Sequence, residues 1–197
     1  MSLTAGRISI QRVAEIADWK PKPKAKAPAA SRPTNGNSHS GRGVAFLQYE
    51  NENTYVATVA DVTVNRQTGA IRVSRVFVAH DCGLIINPDG LRNQIEGGTI
   101  QTISRTLKEQ VRWDGKGVTS VDWASYPILT FAEVPETIVI ALIDHPDQPA
   151  LGAGEAAACA VPAAIGNAIF DAIGVRFRHL PFTPDRVKSA LLTRASA

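Results

Sequence analysis

The stretch Tyr55-Val56-Ala57-Thr58-Val59-Ala60-Asp61-Val62-Thr63-Val64 decides the fold, because its β-branched residues fill the length of one β-strand. A similar run, Ile71 to Ala79, follows it, and Asn65 to Gly69 joins the two with a glycine that can take a positive φ. Val44 to Tyr49 precedes them as a third run of strand length. The sequence therefore predicts a sheet built around an antiparallel hairpin.

A helical pattern follows these strands. Apolar residues spaced by fours or eights, beginning with Leu91 and Ile95, predict a long helix from about Leu91 to Arg112. Later signals predict the remaining elements: a strand over Thr137 to Ile143, a helix from Pro162 capped by Gly174, a short edge strand over Arg176 to Leu180, and a last helix from Pro184 to about Leu192.

This order of elements, β-β-β-α-β-α-α, argues for an α+β fold rather than repeated βαβ units. We expect a mixed or antiparallel sheet of about four to five strands, packed with one long helix and two shorter C-terminal helices. Residues 43–197 would form this domain.

The N-terminal residues have a different character. Residues 1–19 combine a start, Met1-Ser2-Leu3, that is typical of a cloning scar with a short helix. Residues 20–42 are rich in Pro, Ala and Lys and lack large apolar side chains, which predicts a flexible linker. The formal charge of +3 owes much to this stretch, so a solvated linker is favoured over a nucleic-acid arm.

Composition narrows the class of protein. Cys82 and Cys159 are too far apart in sequence to indicate a disulfide framework or a metal-ligand cluster, and we predict that both are small buried thiols. We expect no transmembrane segment, because the sequence has no apolar stretch of about 18 residues, and it has no signal-peptide pattern.

Two clusters could carry chemistry. In Gly152-Ala153-Gly154-Glu155, two glycines permit a backbone path that aims the Glu155 carboxylate into a cavity, although an exposed turn has the same pattern. In Gln94 to Gln101, two amides flank Gly97 and Gly98, and amides suit a polyfunctional heterocycle. The alternative for this glycine pair is close packing of the helix against the sheet.

Together the clusters resemble the end of the molybdopterin-binding subunit in the xanthine dehydrogenase and aldehyde oxidase family, and within it the isoquinoline 1-oxidoreductase β-subunits. The resemblance covers roughly residues 41–192. Its motifs occur in the family's order: Asp81 to Gly90, Gln94 to Gly98, Gly152 to Glu155, Pro162 to Phe170, and Leu180-Pro181-Phe182.

The resemblance implies roles for particular residues. Glu155 corresponds to the general base at the molybdenum centre, and Gln94 to an amide that hydrogen-bonds near the cofactor. Gly97, Gly98 and Gly154 would lie beside the cofactor, and no residue of this chain is implied as a metal ligand. We therefore expect Glu155 and Gln94 to meet at one cavity.

The resemblance also implies a segment of a bacterial molybdenum hydroxylase that oxidises an N-heterocycle or an aldehyde with oxygen from water. The cofactor would be molybdopterin, in its cytosine dinucleotide form. The partners would be the rest of the same subunit, a small [2Fe-2S] subunit and a small-molecule substrate. The compartment would be the bacterial cytoplasm or periplasm.

The alternative is a non-catalytic fragment or interaction module that keeps the fold without cofactor. In either case we expect the isolated chain to be inactive, because its residues alone cannot enclose a metal. Whether it binds cofactor by itself is left open, and its uncovered surface favours self-association.

Overall fold

The computed structural model describes residues 3–20, 33–51 and 54–195. The helices are α1 (Leu3–Ile16), α2 (Pro88–Leu107), α3 (Ala156–Ile173) and α4 (Pro184–Ala195). The strands are β1 (Pro33–Asn35), β2 (Ser38–Gln48), β3 (Tyr55–Asn65), β4 (Ile71–Asp81), β5 (Trp113–Asp114), β6 (Gly117–Val118) and β7 (Thr137–Ile143).

One mixed sheet of five strands organises the fold, in the order β1-β2-β3-β4-β7. Strands β4 and β7 pair in parallel, whereas the other neighbours in this sheet are antiparallel. Strands β5 and β6 form a separate small hairpin. The predicted α+β class and mixed sheet are confirmed.

The hairpin of β3 and β4 has the predicted turn. Gly69 takes φ +76°, and the Asn65 side chain accepts hydrogen bonds from the backbone N–H groups of Gln67 and Thr68 at 2.9 Å each. This turn aligns the two strands over their whole length. The local chemistry of residues 65–69 therefore fixes the register of the central pair.

Helices cover both faces of the sheet. Helix α1 packs on one face, where Val13 and Ala17 join Val59 and Phe77 in an apolar cluster. Helices α2, α3 and α4 pack on the other face in the larger core. Helix α3 is long and apolar enough to cross a membrane by length and composition alone, but here it is the central core helix.

Strand β2 approaches α3 very closely. A Cβ atom at Gly41 would lie 2.1 Å from the carbonyl oxygen of Ala168, and one at Gly43 would lie 2.2 Å from that of Ala164. Both contacts are with backbone, which cannot move aside as a flexible side chain can. Glycine is therefore required at both positions for the strand and helix to pack.

The predicted linker over residues 20–42 is wrong at its C-terminal end. Strand β1 begins at Pro33 and β2 begins at Ser38, because residues 38–42 pair with Asp61 to Asn65 of β3. The ladder supplies hydrogen bonds that the composition of this stretch does not reveal. The part of the predicted linker over residues 21–32 lies outside the described residues.

The helix boundaries also differ from the predictions. Helix α2 begins at Pro88, with the Asn87 side chain as its N-cap, and ends at Leu107 rather than Arg112. The carbonyl oxygen of Thr106 accepts from the backbone N–H of Phe182 at 2.7 Å, so it is not available to continue the helix.

Two predictions for the C-terminal region are wrong. Helix α3 begins at Ala156 and contains Pro162, because the preceding alanines are good helix formers that bury against the sheet. The predicted edge strand over residues 176–180 is an irregular segment instead, since it pairs with no strand among the described residues. The last helix, α4, begins at Pro184 as predicted.

Three chain connections meet at one edge of the sheet, which we call the site edge. Gln48 at the end of β2 pairs with Tyr55, Tyr55 pairs with Asp81, and Asp81 pairs with Ile143 at the end of β7. The β2–β3, β4–α2 and β7–α3 connections all leave from this edge. Residues that are distant in sequence are thereby brought together.

Candidate active site at the site edge

A cavity of about 380 Å³ opens between α2 and the start of α3. All five residues that the sequence singled out line it, so the predicted meeting of Glu155 and Gln94 is found in the structure. The full lining is Asn93, Gln94, Gly97, Gly98, Gln101, Arg105, Gly154, Glu155, Ala158 and Cys159.

The Gln94 side chain ties α2 to the loop that carries Glu155. Its Nε2 donates a hydrogen bond to the carbonyl oxygen of Gly154 at 2.7 Å. The remaining amide oxygen, Oε1, has no donor among the described residues and can accept from a ligand. Gln94 therefore joins the two walls of the cavity and leaves one polar atom for recognition.

Glu155 lies at the N-terminus of α3, where the helix dipole favours a negative charge. Its Oε2 accepts a hydrogen bond of 2.7 Å from the Tyr49 hydroxyl, which belongs to the β2–β3 connection. This hydrogen bond to Glu155, with some burial, raises the pKa of Tyr49 to about 12. Tyr49 therefore stays protonated and donates throughout the neutral pH range, while Oε1 of Glu155 remains open.

The glycines of the cavity are not needed for packing within this chain. A Cβ atom built at Gly97, Gly98, Gly152 or Gly154 would meet no atom within 4 Å. The alternative that Gly97 and Gly98 pack α2 closely against the sheet is therefore wrong. Their missing side chains keep a backbone-lined hollow open, which a flat ring system would fill.

Arg105 and Cys159 also line the cavity, and the sequence did not single out either as a site residue. Arg105 lies on the cavity-lining face of α2 and adds a positive charge there, so the walls of the hollow carry both an acidic and a basic group. Cys159 is exposed, which corrects the prediction that both cysteines are buried, whereas Cys82 is buried as expected. Burial of its sulfur and the nearby Glu155 charge raise the pKa of Cys159, so this thiol stays protonated.

A second, more apolar hollow of about 290 Å³ adjoins the first and shares Gln94 and Gly154 with it. Leu84, Ile85 and Leu151 contribute to its lining. Within the described part of the chain, no three His, Cys, Asp or Glu side chains are grouped to hold a metal ion. Any metal at the site edge would have to be carried by another group.

The sequence family accounts for this arrangement. A model of the molybdopterin cofactor-binding domain matches residues 3–135, about two thirds of the chain. The chain belongs to this family. The resemblance predicted from the two clusters is confirmed, while Glu155 lies beyond the matched residues.

Relatives extend the similarity over nearly the whole chain. One polypeptide of the nicotinate dehydrogenase of Pseudomonas putida is 43% identical over 188 residues, which cover 92% of this chain and 15% of that protein. The β-subunit of the isoquinoline 1-oxidoreductase of Brevundimonas diminuta is 33% identical, and the match covers 91% of this chain and 21% of that protein. The chain thus spans about a fifth or less of these relatives.

A solved structure shows the same architecture. Quinoline 2-oxidoreductase from Pseudomonas putida 86 aligns with a TM-score of 0.66 at 32% identity, covering 71% of this chain and 19% of that one. The homologues of this molybdopterin-binding segment are therefore molybdenum-dependent oxidoreductases, several of them named as subunits of larger enzymes.

Proposed function

We propose that the parent protein of this chain is a molybdenum hydroxylase that oxidises an N-heterocycle or an aldehyde, and that Glu155 is its general base. One observation carries the proposal: Glu155, Gln94 and the two bare glycines of α2 line a single cavity. The relatives named for nicotinate, isoquinoline and aldehydes support the substrate class.

The residues present fit a flat, polar cofactor. The open positions at Gly97 and Gly98 let such a group lie against the backbone of α2, and Gln94 Oε1 and the Gln101 amide can hydrogen-bond to it. The bound cofactor would supply the two-electron oxidation, which no side chain can perform. We propose the cytosine dinucleotide form, with electrons leaving through a [2Fe-2S] subunit.

The chain's own part in the reaction is proton transfer. Glu155 accepts the proton of the attacking hydroxyl at Oε1, because Tyr49 occupies Oε2. The Gln94 contact to Gly154 holds the loop so that this oxygen stays at the cavity. General-base catalysis of this kind typically contributes about 10²- to 10⁴-fold in rate.

Replacing Glu155 by Gln in the full parent enzyme tests the assignment. We expect kcat to fall at least about a hundredfold, with molybdenum and pterin contents unchanged, because the amide keeps the shape but cannot take up the proton. Glu96→Gln is the matched control, since Glu96 is an exposed carboxylate of α2 outside the cavity lining.

Two results would contradict the proposal. Near-normal turnover of Glu155→Gln would reject the base, and a parent protein that binds neither molybdenum nor pterin would reject the enzyme. The second result would instead support a non-catalytic module that keeps the fold. Mass spectrometry of the released cofactor tests the dinucleotide form.

A further inference from the structure

We propose that Tyr49 is a positioning residue for the general base, and that Thr54 anchors the loop that the base stands on. This inference rests on the proposed function and assigns a role to the β2–β3 connection. Its Tyr49 hydroxyl and Thr54 hydroxyl both contact the loop of residues 150–155, from 98 to 106 positions away in sequence.

The backbone of that loop is held from three sides. The Leu151 N–H donates to the carbonyl oxygen of Cys82 at 2.9 Å, at the end of β4. The Gln94 side chain of α2 donates to Gly154, and the Thr54 hydroxyl donates to the carbonyl oxygen of Gly152 at 2.5 Å. A loop with two glycines has high conformational freedom, so these three ties substitute for intrinsic rigidity.

The carboxylate itself has one hydrogen-bond partner among the described residues, the Tyr49 hydroxyl at 2.7 Å. Without this bond the glutamate side chain would sample several rotamers around the cavity mouth. The bond selects one oxygen as a fixed point and leaves the other for the proton. Positioning of a base within hydrogen-bond reach is a requirement for efficient proton transfer.

The tyrosine is a suitable fixed point because it is itself held. Its backbone N–H donates to the carbonyl oxygen of Thr54 at 2.8 Å, which closes the β2–β3 connection. Thr54 is fully buried, so the anchor is not exposed to solvent. The raised pKa of Tyr49 means that the donor persists at any pH at which the enzyme would work.

Tyr49→Phe in the full parent enzyme is the direct test. We expect kcat to fall about tenfold, which corresponds to about 1.4 kcal/mol in activation free energy, while KM and the molybdenum content stay within about twofold of the wild-type values. The expected drop is smaller than for Glu155→Gln, because the base remains present but is less well aligned.

Tyr126→Phe is the matched control. The Tyr126 hydroxyl donates to Glu109 Oε2 at 2.8 Å, so it makes the same kind of tyrosine–glutamate contact outside the cavity lining. This variant should keep the wild-type kcat. A general effect of removing a phenol hydroxyl would lower kcat in both variants and would refute the positioning role.

The Thr54 anchor is tested by rescue. Thr54→Val removes the hydroxyl that reaches Gly152 and should lower kcat, whereas Thr54→Ser keeps the hydroxyl and should restore most of it. A merely structural role in packing would predict the reverse order, because valine preserves the buried volume better than serine.

A measurement that needs no cofactor completes the test. In the isolated chain, the ultraviolet absorbance of tyrosinate should show one tyrosine titrating near pH 12, and Glu155→Gln should return it toward the ordinary value of about 10. An unchanged titration, or a wild-type kcat in Tyr49→Phe, would overturn this inference alone. Retained turnover in Glu155→Gln would overturn the proposed base, while the titration would still report the contact.

Discussion

His80 shows how a single buried residue makes stability depend on pH. Its side chain is fully buried on β4, and neither ring nitrogen has a hydrogen-bond partner within the described chain. Burial lowers the pKa of His80 to about 4, whereas an unfolded histidine titrates near 6.5. The unfolded state therefore binds more protons between these values, and stability should fall by about 2 kcal/mol from pH 7 to pH 5.

Urea unfolding of wild-type and His80→Leu chains at both pH values measures this residue's share. The variant should lose clearly less stability on acidification, since leucine has no proton to take up. His179→Leu is the control, because this exposed histidine should leave the pH dependence unchanged. Equal losses in wild-type and His80→Leu would contradict the prediction.

The packing of strand β2 on helix α3 is decided at Gly43. A Cβ atom there would lie 2.2 Å from both the Ala164 carbonyl oxygen and the Ala168 nitrogen, so the strand and helix would have to separate. Gly43→Ala should lower the free energy of unfolding by about 3 kcal/mol or more, as severe overpacking does. Chemical denaturation of the chain measures the loss.

Gly97→Ala is the matched substitution on α2. It meets no atom within 4 Å, and alanine is the better helix former, so it should stabilise the chain by up to about 1 kcal/mol. In the full parent enzyme the same change should lower the molybdenum content, because it fills the hollow proposed for the cofactor. A neutral Gly43→Ala would show that β2 and α3 separate easily.

The whole molecule exposes an apolar surface over residues 111–131, the segment that contains the β5–β6 hairpin. Trp113 and Trp123 are each 74% exposed, and Phe131 is 93% exposed. We propose that the rest of the parent subunit covers this surface, since the chain spans only 15% to 21% of two curated relatives. The isolated chain should therefore self-associate and show no turnover.

Sedimentation velocity over a range of concentrations tests the self-association. The double substitution Trp123→Ser and Phe131→Ser should shift the chain toward the monomer, because it removes the largest exposed apolar areas. Ile10→Ser, on the opposite side of the sheet in α1, should not. A wild-type chain that stays monomeric at high concentration would contradict the prediction.

Local chemistry was sufficient for much of the fold. The β-branched run of β3, the turn at Gly69 and the start of α4 at Pro184 follow from preferences of single residues and their neighbours, and the structure has all three. The grouping of Glu155 with Gln94 was predicted from a family resemblance, because nothing in their separate neighbourhoods links them.

Only the tertiary structure decided which glycines pack and which residues join the base. Gly41 and Gly43 lie on one face of β2 with the two-residue period that signals close approach, but their partners in α3 are more than a hundred positions away. The same holds for Tyr49 and Thr54. The sequence by itself determined the elements and the candidate acid, since propensity and turn geometry act over a few residues. The ladder of β2, β3, β4 and β7 decided the rest, because pairing at one sheet edge sets distances that local preferences cannot encode.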